Sequence, residues 1–273
     1  MKLLKNALKK ALSYFGYTIR RSTDLTNNGL LFQNFENLSR AYEFRLNGLS
    51  PDSQLEANDV RPKLLGRLQG TPPSEAYFII QGLVKSKQVL GDVCEFGVAQ
   101  GETSALIANE IEGTSKNLHL FDSFEGLPSP TEKDHLKDDI FTLGSMEAYT
   151  GTMACPEDMV RARLNAITFP KERFVIHKGF VDHVLMNDRT LPSKVSFAYV
   201  DFDFYEPLQQ AMNFVHERMP IGGIMVVDDY DWFSMGAKTA VDEFILRNNA
   251  GGAKYRCFVP DKTLGCFAVM ERI

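Results

Sequence analysis

The fold is decided by the stretch Tyr199-Val200-Asp201-Phe202-Asp203-Phe204-Tyr205-Glu206, which is followed further along the chain by Ile224-Met225-Val226-Val227-Asp228-Asp229-Tyr230. In each stretch a short apolar run ends abruptly in carboxylates, a pattern typical of buried parallel strands. The C-terminal ends of such strands are where α/β proteins bind their ligands. The two stretches therefore predict an α/β protein with a ligand site at one edge of a parallel sheet.

Three of these carboxylates are candidates for a metal site. If the two strands are neighbours in the sheet, Asp201, Asp228 and Asp229 converge at the same edge. Clustered carboxylates repel one another and resist desolvation, so an ion or a proton must compensate their charge. A hard divalent cation such as Mg²⁺ prefers oxygen ligands. We therefore predict that Asp201, Asp228 and Asp229 bind Mg²⁺.

An acidic residue after a strand can also have a purely local role. Such residues often cap the helix that follows, where a side-chain oxygen accepts a hydrogen bond from a free backbone N–H group. We expect Asp203, Glu206 and Asp231 to be capping or solvated residues of this kind.

The composition limits the class of protein. The chain has 273 residues, of which 44% are hydrophobic, so it can bury a substantial core. Its formal net charge of -5 argues against nonspecific binding of nucleic acid. The four cysteines lack the spacing of zinc sites, and the N-terminus lacks the continuous apolar segment of a secretion signal. We therefore expect a cytoplasmic protein that binds no nucleic acid.

Residues 1–72 differ in composition from the rest, and we predict that they form a helical N-terminal extension ahead of a single domain at 73–273. Residues 1–21 carry six basic and no acidic side chains, and their apolar residues fall on one helical stripe. Residues 22–33 are polar and are predicted to be a linker. The basic helix either lies on the inner face of an anionic membrane or packs against the protein itself or a second subunit of a homo-oligomer.

From about residue 74 onward the pattern alternates between helices and strands. The predicted strands are Asp92 to Phe96, Asn117 to Phe121, Arg173 to His177, Val195 to Val200, Ile224 to Val227, Lys254 to Val259 and Gly265 to Val269. Such alternation implies a mostly parallel, seven-stranded, Rossmann-like sheet that ends in an antiparallel hairpin. The segment Ser123 to Cys155, rich in Gly, Pro and Ser, is expected to be a lid or binding loop.

A glycine-containing turn follows the first predicted strand and opens a helix. The turn is Cys94-Glu95-Phe96-Gly97-Val98-Ala99-Gln100-Gly101-Glu102-Thr103-Ser104. Gly97 and Gly101 allow a ligand to approach the backbone closely. Ala99 breaks the GxGxxG pattern, and Glu102 at the helix start is unfavourable for a pyrophosphate. A dinucleotide is therefore disfavoured, whereas Glu95 at the strand end suits a positively charged ligand group.

The second predicted strand ends in Asp122, about 20 residues after the turn, where an acid can accept hydrogen bonds from ribose hydroxyls. S-adenosylmethionine (SAM) has a ribose but no phosphates, so it fits this end of the sheet better than NAD. His177, at the end of the third strand, is expected to face the adenine. The predicted cofactor-binding residues are Glu95, Phe96, Gly97, Gly101, Thr103, Ser104, Asp122, Ser123, Gly179, Phe180 and Asp201.

Four motifs, taken in this order, resemble the macrocin O-methyltransferase family. They are D-S-F-E-G-L-P at Asp122 to Pro128, D-x-D-x-Y-E at Asp201 to Glu206, G-G…V-D-D-Y at Gly222 to Tyr230, and A-V-D-E within Ala237 to Phe244. The resemblance covers roughly residues 74 to 250. It implies a class I, SAM-dependent and Mg²⁺-dependent methyltransferase of sugar hydroxyls, with the metal on Asp201, Asp228 and Asp229 and the ribose on Asp122. Ala99-Gln100 departs from the family, which often has a tryptophan in this turn.

The chemistry expected of such a site is methyl transfer to a hydroxyl group. A metal on the three aspartates would acidify a sugar hydroxyl, and Asp201 is the expected catalytic base. Trp232 follows the metal motif and is expected either to pack against the sugar or to anchor a loop. The acceptor is a sugar-containing small molecule or a glycan, and a natural-product sugar and a surface-polysaccharide sugar both stay open. The alternatives are an NAD(P)-dependent oxidoreductase and a noncatalytic nucleotide- or sugar-binding protein.

Overall fold

The computed structural model describes residues 31, 32, 34, 35, 58–252 and 254–273. The basic helix predicted for residues 1–21 lies outside the described residues, so its contact with a membrane or a second subunit stays a prediction. Leu31 and Phe32, at the end of the predicted linker, are helical. The Phe32 ring is buried and packs against Tyr77, with the ring centroids 5.9 Å apart.

Seven strands form one sheet in the order β3-β2-β1-β4-β5-β7-β6. They are β1 (Asp92–Phe96), β2 (Leu118–Asp122), β3 (Phe174–Lys178), β4 (Val195–Val200), β5 (Ile224–Val227), β6 (Tyr255–Phe258) and β7 (Ala268–Arg272). The first five strands are parallel, and β7 runs antiparallel to both β5 and β6. The predicted Rossmann-like sheet with its C-terminal antiparallel hairpin is therefore confirmed.

The last strand starts later than its predicted position at Gly265 to Val269. Lys262–Leu264 form a short 3₁₀ turn, and Gly265 follows with φ of +130°, so the chain is still turning there. The strand begins at Ala268 and inserts between β5 and β6. The hairpin therefore joins the sheet through its second strand.

Helices cover both faces of the sheet. They are α1 (Arg61–Leu65), α2 (Pro73–Lys85), α3 (Glu102–Ile111), α4 (Glu157–Ala166), α5 (Val181–Asn187), α6 (Tyr205–Arg218) and α7 (Met235–Ala250). Side chains of α1 to α4 form one apolar core and those of α5 to α7 the other. None of the helices in the described ranges is long and apolar enough to cross a membrane.

Strand β4, at the centre of the sheet, is covered on both faces. Phe197 and Tyr199 point into the core beneath α2 and α3, whereas Ala198 and Val200 point into the core beneath α6 and α7. All six residues of β4 are buried because successive side chains alternate between two covered faces. The chain first reaches the edge of the apolar core at Asp201, directly after the strand.

Helix α2 approaches β4 closely at one glycine. A Cβ atom on Gly82 would lie 2.6 Å from the Phe197 ring and 3.2 Å from the Ile224 side chain. Both neighbours are fully buried, so neither can move aside without disturbing the core. The absence of a side chain at Gly82 thus sets the distance between α2 and the sheet.

We predict that Gly82→Ala lowers the free energy of unfolding by about 1–3 kcal/mol, because overpacking outweighs the better helix propensity of alanine. Urea denaturation measures the effect. Gly113→Ala is the matched control, since nothing lies within 4 Å of the added Cβ. It should change the free energy of unfolding by less than about 0.5 kcal/mol, and an equal loss in both variants would contradict the packing argument.

Candidate active site

The parallel strands end side by side at one edge of the sheet. The backbone N–H of Asp201 donates to the Phe96 carbonyl at 2.7 Å, and that of Asp228 donates to the Val200 carbonyl at 2.9 Å. These bonds continue the ladders β1–β4 and β4–β5 by one residue beyond the strands. The sheet therefore brings Asp201 and Asp228 together, as the neighbouring-strand argument predicts.

A cluster of carboxylates stands at this edge. Asp201, Asp203 and Asp229 each offer one carboxylate oxygen, and these three oxygens lie within 4.8 Å of one another. We expected Asp203 to be a capping or solvated residue, but the structure places it in the cluster. Asp203 and Asp229 have φ of +58° and +57°, a left-handed conformation that aspartate tolerates better than most residues. These turns direct both side chains toward Asp201.

Asp228 is held in a different way. The Tyr199 hydroxyl donates to Asp228 Oδ2 at 2.9 Å and lies 3.5 Å from Asp201 Oδ2. The backbone N–H of Asp229 donates to Asp228 Oδ1 at 2.7 Å. Asp228 therefore lies beside Asp201, and Tyr199 fixes its orientation. It is not part of the group of Asp201, Asp203 and Asp229 whose oxygens lie within 4.8 Å of one another, so its predicted role as a metal ligand stays a prediction.

Glu75, in the first turn of α2, lies behind the cluster and was not found from the sequence. Its side chain is completely buried, and no donor among the described residues reaches either of its carboxyl oxygens. Burial raises the pKa of Glu75 well above its usual range, and the nearby Asp228 raises it further. The sequence carried no signal for this role, because an acid in the first turn of a helix is an ordinary feature.

The cluster carries a large desolvation penalty. Burial raises the pKa of Asp201 and of Asp229 well above the usual aspartate range, and repulsion from the neighbouring carboxylates adds to the shift. Burial and then Asp201 raise the pKa of Asp203 to about 7. A bound divalent cation would offset the desolvation cost of the charged carboxylates and the repulsion between them. The residues present therefore fit an oxygen-coordinated metal.

The glycine turn after β1 meets the acid cluster directly. Gly97 has φ of +83°, and a Cβ atom there would lie 1.7 Å from the backbone carbonyl oxygen of Asp201. No other residue fits at this position. The contact locks the turn that follows β1 to the first acid that follows β4.

Asp122, at the end of β2, organises the same turn. Its Oδ2 accepts hydrogen bonds from the backbone N–H groups of Val98 at 2.7 Å and Ala99 at 2.9 Å. Its Oδ1 accepts one from the Phe124 N–H at 2.6 Å. The Asp122 carboxylate therefore holds the glycine turn in place, and its predicted ribose-binding role stays a prediction.

One cavity of about 960 Å³ contains these parts. Six of the predicted cofactor-binding residues line it: Gly97, Asp122, Ser123, Gly179, Phe180 and Asp201. The other five, Glu95, Phe96, Gly101, Thr103 and Ser104, are not among its lining residues. Asp203, Asp228 and Asp229 line the same cavity, so the cofactor end and the acid cluster share one space.

The segment Ser123 to Cys155 forms one wall of this cavity, as a lid would. Tyr149 is fully buried and its ring packs edge-on against Phe233 at 4.7 Å. Asp134 Oδ1 accepts a hydrogen bond from the Tyr205 N–H at 2.7 Å. The segment is thus anchored to the start of α6 and to the loop between β5 and α7.

The family model for macrocin O-methyltransferases matches residues 78–251, which is more than half of the chain. The chain belongs to the macrocin O-methyltransferase family. This confirms the resemblance drawn from the motifs. The protein is a SAM-dependent O-methyltransferase.

Individual relatives agree with this family. A curated protein of Streptomyces olivaceus, 8-demethyl-8-(2,3-dimethoxy-alpha-L-rhamnosyl)-tetracenomycin-C 4'-O-methyltransferase, is 27% identical over 187 residues, which are 63% of this chain and 68% of that protein. The solved O-methyltransferase NovP superposes with a TM-score of 0.63 at 18% identity, covering 90% of this chain and 99% of its own. The calicheamicin methyltransferase CalS11 superposes with a TM-score of 0.58 at 17% identity, covering 93% of this chain and 94% of its own. The two structures support the fold.

Two residues of the methyltransferase differ from their predicted surroundings. Glu95 is completely buried beneath the glycine turn, and burial raises its pKa to about 8 although the Ser104 hydroxyl opposes the shift. It therefore does not face the cavity, where we expected it to meet a charged ligand group. His177 does not face the cavity either, because its imidazole lies between His119 at 2.9 Å and Asp188 at 2.6 Å.

We predict that Asp122→Asn weakens the binding of S-adenosylhomocysteine (SAH) by about 1.5–3 kcal/mol, because the amide removes a charged acceptor from the turn. Isothermal titration calorimetry measures the change. Asp182→Asn is the matched control, since Asp182 is an exposed acid that lines the same cavity. Equal weakening in both variants would mean that only the overall charge of the cavity matters.

Proposed function

We propose that this methyltransferase transfers the methyl group of SAM to a sugar hydroxyl in a Mg²⁺-dependent reaction. The observation that carries the proposal is the direct contact between the glycine turn and the acid cluster, where Gly97 meets the Asp201 carbonyl. A cofactor at the turn and an acceptor at the cluster would therefore be neighbours in one cavity. Such proximity is what a bimolecular transfer requires.

The relatives support a sugar as the acceptor. The name of the Streptomyces olivaceus protein describes methylation of a rhamnosyl group attached to a tetracenomycin. A sugar linked to a natural product is the acceptor class that this relative favours. A sugar of a surface glycan presents the same hydroxyl chemistry to the site and belongs to the same proposal.

Each part of the site has a role in this reaction. Asp201, Asp228 and Asp229 would hold Mg²⁺, with Asp203 beside them. A bound Mg²⁺ would supply Lewis acidity that lowers the pKa of a coordinated hydroxyl, and SAM supplies an electrophilic methyl group. Asp201 stands nearest to the glycine turn and accepts the proton of the acceptor hydroxyl.

Other residues support those that react. Tyr199 keeps Asp228 in place through its 2.9 Å hydrogen bond. Asp122 holds the turn and presents its carboxylate to the ribose. The segment Ser123 to Cys155 covers the cavity and limits the access of water. Limited access of water strengthens the electrostatic interactions of the site.

We predict that the protein binds SAH without metal, that turnover stops in excess EDTA, and that Mg²⁺ restores it. Asp201→Asn should leave SAH affinity nearly unchanged and lower kcat by about 10²–10⁴-fold, because the proton acceptor is lost. Asp231→Asn is the matched control. Asp231 pairs with Lys137 and Lys262 and does not line the cavity. Full activity in the chelator, or of Asp201→Asn, would contradict the mechanism.

A second prediction concerns how the effect of Mg²⁺ depends on pH. The pKa of Asp203 is about 7 in the metal-free fold and near 4 in an unfolded chain. The metal-free fold therefore keeps a proton that the unfolded chain loses, and it loses stability as pH rises from about 4 through 7. Mg²⁺ competes with this proton, so its stabilising effect grows over the same range.

Differential scanning fluorimetry at pH 5.5 to 8.5, with EDTA or with Mg²⁺, measures the increase in Tm caused by the metal. We expect this increase to be larger at high pH, because the metal displaces protons that the raised pKa values of Asp201, Asp203 and Asp229 retain at lower pH. Asp203→Asn should weaken the pH dependence, because it removes one of these protons. An increase in Tm that is the same at every pH would contradict the claim that Mg²⁺ binds at the acid cluster in competition with protons.

A further inference from the structure

A chain of four titratable side chains crosses strands β1, β2 and β3. His119 Nδ1 lies 2.9 Å from His177 Nε2, and His177 Nδ1 lies 2.6 Å from Asp188 Oδ2. On the other side, His119 Nε2 lies 3.6 Å from Asp92 Oδ2. Both imidazole rings are buried and stacked, with their centroids 5.2 Å apart. We call Asp92, His119, His177 and Asp188 the histidine chain, and the reaction proposed above uses none of them.

The contacts of the histidine chain limit how many protons it can hold. Although burial opposes the shift, hydrogen bonds from Thr190 and His177 lower the pKa of Asp188 to about 2, so this carboxylate is charged and accepts the His177 Nδ1–H. The contact between the two rings needs one hydrogen, because a donor must meet a lone pair. Two imidazolium rings would place one N–H group against another. The last ring nitrogen can therefore take a proton only if this contact breaks.

The surroundings of His177 favour its neutral form. Burial lowers the pKa of His177, the hydrogen bond with Asp188 opposes the shift, and a charge on His119 lowers the pKa further. The ordinary pKa of histidine is about 6.5. The contact between the rings is therefore present at neutral pH and is lost as pH falls below this value.

Other titratable groups lie on the elements packed against the two rings. They include Asp92 and Cys94 of β1, where Cys94 is the register partner of His119, Asp182 and His183 of α5, and Arg218 of α6, whose charge acts on Cys94. Asp182 and His183 are exposed, so water screens their charges. The nearest groups to the ring nitrogens are the two carboxylates of the histidine chain itself.

The bond between His177 and Asp188 closes a loop that forms part of the cavity wall. The loop runs from the end of β3 through α5, and four of its residues line the cavity: Gly179, Phe180, Val181 and Asp182. The Gly179 N–H donates to the Asp122 carbonyl at 2.9 Å. A Cβ atom on Gly179 would lie 3.1 Å from the Val184 side chain, so α5 packs directly on the start of the loop. A displacement of Asp188 therefore reaches the wall through one short helix.

We propose that the histidine chain positions this wall for the cofactor and makes cofactor binding depend on pH. At neutral pH, His119 holds the His177 imidazole, and His177 holds Asp188 and the end of α5. In acid the two protonated rings repel one another, and the wall at Gly179 and Phe180 is displaced. The inference rests on the proposed function in one respect, since it takes the cofactor to bind beside Gly179 and Phe180.

A variant that lacks the closing bond tests the positioning role. The affinity of the full-length protein for SAH is measured by calorimetry in EDTA at pH 7.5. We expect Asp188→Ala to weaken SAH binding at least about fivefold, the size of a modest coupling between two sites. Thr190→Ala is the matched control, because it removes another side chain bonded to Asp188 and leaves the His177 bond in place. Unchanged affinity in Asp188→Ala, or an equal loss in the control, overturns the positioning role.

The pH dependence separates this role from a general loss of stability. The ratio of the SAH dissociation constants of Asp188→Ala and the wild type is measured from pH 5.5 to 8. We expect the ratio to fall toward one in acid, because the wild type loses its contact there and the variant lacks the bond at every pH. Titration of the acid cluster affects both proteins and cancels in the ratio. A ratio that is constant over this range overturns the dependence on pH.

Nuclear magnetic resonance of the wild type tests the histidine chain without any substitution. Long-range ¹H–¹⁵N spectra at pH 7.5 should show a hydrogen on His177 Nδ1. SAH should lower the pH at which His177 becomes fully protonated, because a proton that weakens SAH binding is itself weakened by SAH. A His177 hydrogen found only on Nε2, or a titration that SAH does not move, overturns the inference.

Asp122→Asn separates failure of this inference from failure of the proposed function. If the cofactor binds elsewhere, Asp122→Asn and Asp188→Ala both leave SAH affinity unchanged, and both proposals fail. If the histidine chain alone is wrong, only Asp122→Asn weakens SAH binding. Neither the sugar acceptor nor Mg²⁺ takes part in these measurements.

Discussion

Repulsion among buried carboxyl groups is the constraint on which the site depends. Asp201, Asp203 and Asp229 meet where β4 and β5 end, Asp228 lies beside Asp201 across the Tyr199 hydroxyl, and Glu75 is buried behind them. The sheet fixes this geometry, because the ladders β1–β4 and β4–β5 continue into the first acids. The protein cannot relieve the repulsion by moving these groups apart. A proton or a cation must therefore occupy the cluster, and its raised pKa values express that requirement.

The same geometry joins the two halves of the reaction. The strand order places β1 beside β4, so the turn proposed to bind the cofactor touches the first of the acids that follow β4, at Gly97 and Asp201. A doubly wound sheet changes direction at this position, and ligands bind there in many unrelated proteins. In this chain a missing Cβ atom makes the contact possible, so cofactor and acceptor can meet within one cavity.

The strands and the acids at their ends could be predicted from the sequence. Residues that reach the site from distant parts of the chain could not. Short apolar runs that end in carboxylates identified β4 and β5, and the parallel arrangement then placed Asp201 beside Asp228. Glu75 could not be found, because it reaches the cluster from a helix more than one hundred residues earlier in the chain. Asp203 was misjudged because its position depends on a left-handed turn, and aspartates in such turns usually belong to caps.

Asp122 shows a different limit of sequence reasoning. Its place at the end of β2 was predictable, but its partners Val98, Ala99 and Phe124 are backbone donors, which a sequence does not distinguish. The acidic character of the cavity could not be predicted from the sequence either, because it depends on which side chains the fold brings together. A net charge of -5 is ordinary for the whole chain, whereas the structure concentrates nine acids around one space and pairs the nearby lysines elsewhere.

A crystal structure of the protein grown with Mn²⁺ and SAH, with anomalous diffraction data, tests the central claim most directly. The account predicts one anomalous peak between Asp201, Asp228 and Asp229, at oxygen-ligand distances, with SAH beside the glycine turn and Asp122. SAH bound in this place without an anomalous peak at the acid cluster, in crystals whose protein is active with Mn²⁺, would contradict the metal-based account.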